Sequence, residues 1–162
     1  MDPTRNMRLG MAVAVLIGGL DLVSKWWIVD KVMQPPRMIP VTSFFNLVLG
    51  HNRGVSFGMF NSDNPMGRWL LTGLAVAIVI GLLIWMWRAD RAWIAIALGL
   101  IVGGAVGNVY DRVTIGAVVD FLDFHAAGYH WPTFNIADIG ITFGAIGLIW
   151  DSFAHRADEA DG

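Results

Sequence analysis

The chain has 162 residues, of which 56 % are hydrophobic and only 15 % charged, with a formal net charge of -2. A soluble domain carries about 25 % charged residues, so the deficit makes lipid the solvent for much of the surface and excludes a large soluble domain. Cysteine is absent, which excludes disulfides, thiolate catalysis and thiolate metal sites, and the 11 lysines and arginines are too scattered for a nucleic-acid footprint.

In chain order, Leu9 to Leu20 follows Arg5 and Arg8 as a signal-peptide core would. No small-residue cleavage site comes next, and the apolar pattern resumes after Asp21 as LVSKWWIV, which predicts a retained first span from Leu9 to Val29. Gln34-Pro35-Pro36 then stops the helix. The stretch that follows, MIPVTSFFNLVLGHNRGVSFGMF, is rich in β-branched and aromatic residues. It predicts a small antiparallel element on the bilayer surface, turning at Asn52-Arg53-Gly54, with residues 31–68 as an extracytoplasmic insertion.

Trp69 to Trp87 is uncharged and has tryptophan at both ends, as a second span requires. Only Arg88-Ala89-Asp90-Arg91 separates it from a third span, Ala92 to Tyr110, so the two must form a tight hairpin. Gly99, Gly103 and Gly107 recur every four residues there, as do Gly140 and Gly144 further on, an interval that lets helix backbones approach closely in lipid. An external connection from Val113 to His130 carries Asp120 and leads into a fourth span, Trp131 to Phe153. Four spans put both termini on one side. Arg5, Arg8, Arg88, Arg91 and Arg156 would then be cytoplasmic, against Lys31, Arg37, Arg53 and Arg68 outside.

Charge at the bilayer centre costs at least roughly 2.5 to 3.5 kcal/mol, so each polar residue within a span needs a partner or a task. Asp21 and Lys25 are four apart and read as a neutralising structural pair. Asn108, Asp111 and Arg112 close the third span, either as interhelical polar packing or as groups that orient a neighbouring acid. Asn135 and Asp138 share a face of the fourth span, with Asp138 about 10 Å along it and no basic residue before Arg156. Asp120 stands in an apolar run, Val118-Val119-Asp120-Phe121-Leu122. If Asp120 and Asp138 meet in a low-dielectric place they cannot both ionise cheaply, so the pair holds one proton. One member can then activate water while the other protonates a peptide carbonyl.

Other chemistry fits less well. Gly54-Val55-Ser56-Phe57-Gly58 matches G-x-S-x-G, with His51 nearby, but lacks the strand-turn-helix setting that gives this motif meaning. The four histidines have no H-E-x-x-H spacing, so no metal is expected. A proton-coupled transporter using Asp138 is the main alternative, although no repeated halves are visible. A scaffold that uses Asp and Asn for helix packing is a third.

The ordered set LDLVSK (Leu20 to Lys25), HNRGVSFG (His51 to Gly58), GGAVGNVYDR (Gly103 to Arg112), VVDF (Val118 to Phe121) and FNIAD (Phe134 to Asp138) resembles the bacterial lipoprotein signal peptidases, or signal peptidase II. The resemblance runs from about Leu9 to Phe153. It implies an all-α, four-helix inner-membrane enzyme with cytoplasmic termini and an active site near the extracytoplasmic face. It also implies a β-cradle and a short surface helix in the third-to-fourth connection. Asp120 and Asp138 map onto the catalytic dyad. Asn52, Gly54, Asn108 and Asn135 map onto pocket or dyad-supporting positions, and Asp21, Lys25, Asp111 and Arg112 onto polar residues that stabilise the fold or line the site. The implied substrate is a prolipoprotein, cut immediately before its diacylglyceryl-modified cysteine. The implied inhibitors are cyclic depsipeptides of the globomycin type, and a monomer without cofactor is expected. The family usually has alanine where this chain has Ser56, which weakens the serine reading further.

Overall fold

The computed structural model describes residues 3–54 and 65–160, and the side chains of 4–54 and 66–153. Ser56 and the segment of the external loop from 55 to 64 lie outside the described residues. Helix α1 (Pro3–Trp27) continues into one wider turn, Ile28–Val32. Strands β1 (Ile39–Thr42) and β2 (Phe45–Asn52) follow, then α2 (Pro65–Trp87), α3 (Ala92–Thr114), β3 (Val118–Ala126), β4 (Tyr129–His130) and α4 (Ile136–Ala160). All four helices are long and apolar enough to cross a membrane. α2, for example, has 23 residues, about 34 Å at 1.5 Å per residue.

α3 is the central helix. In its apolar window 56 % of residues are buried, against 17 to 28 % in the others. Its glycines make this possible. A Cβ at Gly99 would strike the Gly10 carbonyl oxygen of α1, one at Gly103 the Ala14 carbonyl oxygen, and one at Gly104 the Ala137 carbonyl oxygen of α4. The four-residue interval on α3 is therefore the line along which α1 lies. Gly140 and Gly144 return the favour from α4, against Leu100 and Ala97. In lipid, where apolar burial gives no preference for protein over acyl chain, such close van der Waals approach is a main source of helix association.

The four strands form one antiparallel sheet in the order β1-β2-β3-β4. The turn between the first two lies at residues 43–44, and β2 runs on through His51 and Asn52, where the sequence predicts a turn. Among the described residues, 31–68 supply β1 and β2, whereas β3 and β4 come from the connection between α3 and α4. That connection contains no surface helix, contrary to the expectation. Its buried Val118-Val119-Asp120-Phe121 run pairs along β2, with Gly50 opposite Asp120 and Asn52 opposite Val118. The chain then folds back, so that Phe134 exchanges hydrogen bonds with Leu122 (2.9 and 3.1 Å). Ile28, Met33, Val119 and Phe121 form a buried cluster that fastens the sheet to the end of α1. At the far edge, hydrogen bonds to Asn46 and His130 hold the Asp123 carboxyl below the usual carboxylate range and tie β4 to β2 across β3.

Because the Gly103 Cβ would meet main chain and not a movable side chain, Gly103→Val should destabilise the bundle by about 1 to 3 kcal/mol. Thermal unfolding in detergent should show the loss, whereas Gly81→Ala, whose added Cβ meets nothing within 4 Å, should leave the midpoint nearly unchanged.

Candidate active site

Every polar residue singled out in the spans and connections lies at the sheet end of the bundle. Helix α4 begins at Ile136, five residues later than the apolar pattern suggests, so Asp138 sits in its first turn and not about 10 Å along it. Asn135 and Asp138 cap that turn reciprocally. The Asp138 backbone N–H donates to Asn135 Oδ1 (3.0 Å), and the Asn135 backbone N–H donates to Asp138 Oδ2 (3.3 Å). This is the geometry of a capping box, with asparagine and aspartate as the two members.

Asn135 also reaches the other acid. Its Nδ2 donates to Asp120 Oδ1 at 2.8 Å and to the Val119 carbonyl at 3.2 Å. The two carboxylates thus contact one asparagine, Asp120 from the sheet and Asp138 from the helix. A second amide completes the arrangement, since Asn108 Nδ2 donates to Asp138 Oδ1 at 2.9 Å. Asn52, at the end of β2, hydrogen-bonds Asp120, while its Oδ1 accepts the Gly54 N–H at 3.2 Å. Gly54 holds φ +141 there, a conformation that side-chain-bearing residues avoid. Arg112 Nη1 donates to the Asn108 carbonyl (3.4 Å), and its guanidinium interacts electrostatically with Asp138, Asp120 and Asp111. Asp138 therefore has a cation near it from α3, although its own helix offers none.

Asp120 is 2 % exposed. Burial pushes its carboxyl up to about 6, the Asp138 charge acts in the same direction, and the hydrogen bonds from Asn52 and Asn135 oppose it. Desolvation outweighs two neutral donors, the balance expected where a carboxylate lacks a direct cationic partner.

Beneath this pair lies the ion cluster. Lys25 Nζ is 2.7 Å from Asp21 Oδ2, 2.8 Å from Asp111 Oδ2 and 3.1 Å from Asn108 Oδ1. Asp21 also accepts the Ala137 N–H at 2.9 Å, and Asp111 the Val119 N–H at 3.0 Å. Asp21 and Lys25 are thus more than a pair on one helix, because they join α1 to α3, β3 and α4. The sequence reading also misses a groove beside Asp138. Its volume is ≈ 410 Å³, and Trp131, Thr133, Phe134, Thr142 and Phe143 line it. No local motif marks that groove, which exists only because residues 131–135 fold back against β3.

Comparison with known proteins gives this geometry its context. Residues 13–154 match the family model described as Signal peptidase (SPase) II. A lipoprotein signal peptidase of Methylorubrum extorquens (strain PA1) is 46 % identical over 160 residues, covering 95 % of this chain and 92 % of that protein. The chain belongs to the signal peptidase II family. A second relative, the lipoprotein signal peptidase of Ralstonia nicotianae, is 50 % identical over 145 residues, covering 88 % of this chain and 82 % of that one. Two solved structures, described as bacterial membrane enzymes obtained by the in meso method at 2.3 and 1.9 Å, share the fold. Their TM-scores are 0.79 and 0.76 at 28 % and 30 % identity, over 92 % and 88 % of this chain and 90 % of each of theirs. As a signal peptidase II, the chain is a multi-pass membrane hydrolase that acts as an aspartyl-type peptidase on prolipoproteins, and the transporter and scaffold alternatives fall.

Removing Lys25 would leave Asp21 and Asp111 buried without their cation. Lys25→Met should therefore cost about 3 to 5 kcal/mol of stability, read as a lowered unfolding midpoint in detergent. A midpoint equal to that of the parent protein would show that the cluster carries no such burden.

Proposed function

We propose that Asp120 and Asp138 are the catalytic dyad of this signal peptidase II, and that they hydrolyse the peptide bond immediately before the diacylglyceryl-modified cysteine. The observation that carries the reading is that both carboxylates contact Asn135 while one of them is pushed up toward neutrality. Asp120, with its raised value, holds the shared proton. Asp138, oriented by Asn108 and by its own helix cap, is the base.

The mechanism requires a water molecule between the two acids. Asp138 takes one proton from it as the oxygen attacks the scissile carbonyl carbon, and Asp120 donates its proton to the carbonyl oxygen. The tetrahedral diol then collapses. Asp120 recovers a proton from a diol hydroxyl, the carbon–nitrogen bond breaks, and Asp138 delivers its proton to the departing cysteine nitrogen. Nothing is oxidised or reduced, and the enzyme returns to its starting state. Arg112 offsets negative charge in the site, and Lys25, Asp21 and Asp111 act as positioning residues through Asn108 and Val119.

We place this chemistry at the extracytoplasmic rim and both termini in the cytoplasm, because Arg5, Arg8, Arg88 and Arg91 collect at the other end of the bundle. The groove beside Asp138, with exposed Trp131 and Phe143 in its lining, would give a diacylated substrate an apolar approach to the dyad. A cyclic depsipeptide of the globomycin type would compete for the same cleft. We propose a monomer as the working unit.

Asp120→Asn and Asp138→Asn should each reduce cleavage of a diacylated precursor by several orders of magnitude while the protein still inserts and unfolds cooperatively. Appreciable turnover by either variant would refute the dyad. The pH dependence offers an independent check. A protonated Asp120 is required, so kcat/KM should be highest below its value of about 6 and fall as pH rises through it. The Asn52 hydrogen bond favours the ionised form, so Asn52→Ala should move this limb to higher pH. Movement to lower pH would contradict the assignment of the proton to Asp120.

A further inference from the structure

At the end of the bundle remote from the two aspartates, the start of α1 and the finish of α2 leave a seam open to lipid. Two cavities of ≈ 280 and ≈ 440 Å³ lie along it, and Met7 and Trp87 line both, so they form one continuous trough. On α2 the spacing of Ile80, Ile84, Trp87 and Arg88 puts these residues on one face. Arg8 stands at the α1 side and Arg88 at the α2 side. The two lips are held in register by a buried hydrogen bond, from Asn6 Nδ2 to the Ala89 carbonyl at 3.1 Å.

The two arginines differ from their neighbour Arg91. Arg91 forms a bidentate pair with Asp151 at 2.8 and 2.7 Å, which clamps the α2–α3 hairpin to α4. Arg8 and Arg88 make no ion pair among the described residues. Two guanidiniums without a carboxylate partner among the described residues thus flank a trough of apolar side chains at a membrane surface.

We infer that this trough binds an anionic phospholipid, its phosphate held between Arg8 and Arg88 and an acyl chain laid along Met7, Ile80 and Ile84. The chemistry is complementary at both ends. Guanidinium forks match phosphate oxygens, the floor matches hydrocarbon, and basic pockets between transmembrane helices are recurrent headgroup sites. The site does not depend on the dyad assignment, since it shares no residue with the aspartate cluster.

Native mass spectrometry of the full-length protein, titrated separately with phosphatidylglycerol and phosphatidylcholine, tests this. The parent protein should retain phosphatidylglycerol in preference to the zwitterionic lipid. Arg8→Gln/Arg88→Gln should lose that preference by about tenfold or more, given two arginines at an anionic headgroup. Ile84→Trp, which fills the trough and keeps both charges, should weaken retention of either lipid. Cleavage of a precursor in phosphatidylcholine bilayers should persist in these variants and reports that they are folded. Equal retention of the two lipids by the parent protein would overturn the inference. So would an undiminished preference in the double variant, or parental retention by Ile84→Trp, which would locate the lipid elsewhere.

Discussion

The Lys25 ammonium is buried within a bundle whose surroundings are lipid, and its three protons meet three acceptors: Asp21, Asp111 and Asn108. Each acceptor has a second task. Asp21 takes a free N–H in the first turn of α4, Asp111 takes the N–H of the residue before Asp120, and Asn108 is turned so that its amide nitrogen faces Asp138. One desolvated cation therefore connects α1, α3, β3 and α4 at the level where the two aspartates meet. The arrangement explains why so many polar groups are tolerated there, since each charge or amide satisfies another.

The orientation of the two asparagine amides follows from the same cluster. Lysine can only donate, so Asn108 must present its oxygen to Lys25 and its nitrogen to Asp138. Asn135 then gives its nitrogen to Asp120 and its oxygen to the backbone of α4. The carboxylates receive neutral donors and not direct ion pairs, a difference with chemical weight. A guanidinium bonded to Asp120 would hold that acid ionised. Amide donors are too weak to overcome burial, and the carboxyl stays near 6, within reach of accepting and returning a proton.

Much of this was legible from residues alone, for identifiable reasons. Uncharged stretches bounded by tryptophan announce spans because lipid imposes both length and interface chemistry, and Gly99, Gly103 and Gly107 announce a close neighbour because little else excuses them in a helix. Asn135 and Asp138 were visible as a pair, but their role as a helix cap depends on where α4 starts, and the apolar Trp131 and Phe134 masked that boundary. The bond from Asp21 to the Ala137 N–H joins residues 116 apart and leaves no local signature. Asn52-Arg53-Gly54 carried a strong turn signal, yet pairing with β3 kept Asn52 in the strand. The connection carrying Asp120 is rich in β-branched and aromatic residues, and its pairing with β2 makes it a strand where a surface helix was expected.

The four-residue spacing of Asp21 and Lys25 bears on biogenesis. The first helix emerges from the ribosome long before α3 exists, so its lysine must enter the bilayer without Asp111 or Asn108. Asp21, one turn away on the same face, lets the segment partition as an internally neutral zwitterion. Once α3 is in place, the same ammonium also neutralises Asp111, so one cation carried in by the first helix serves both carboxylates.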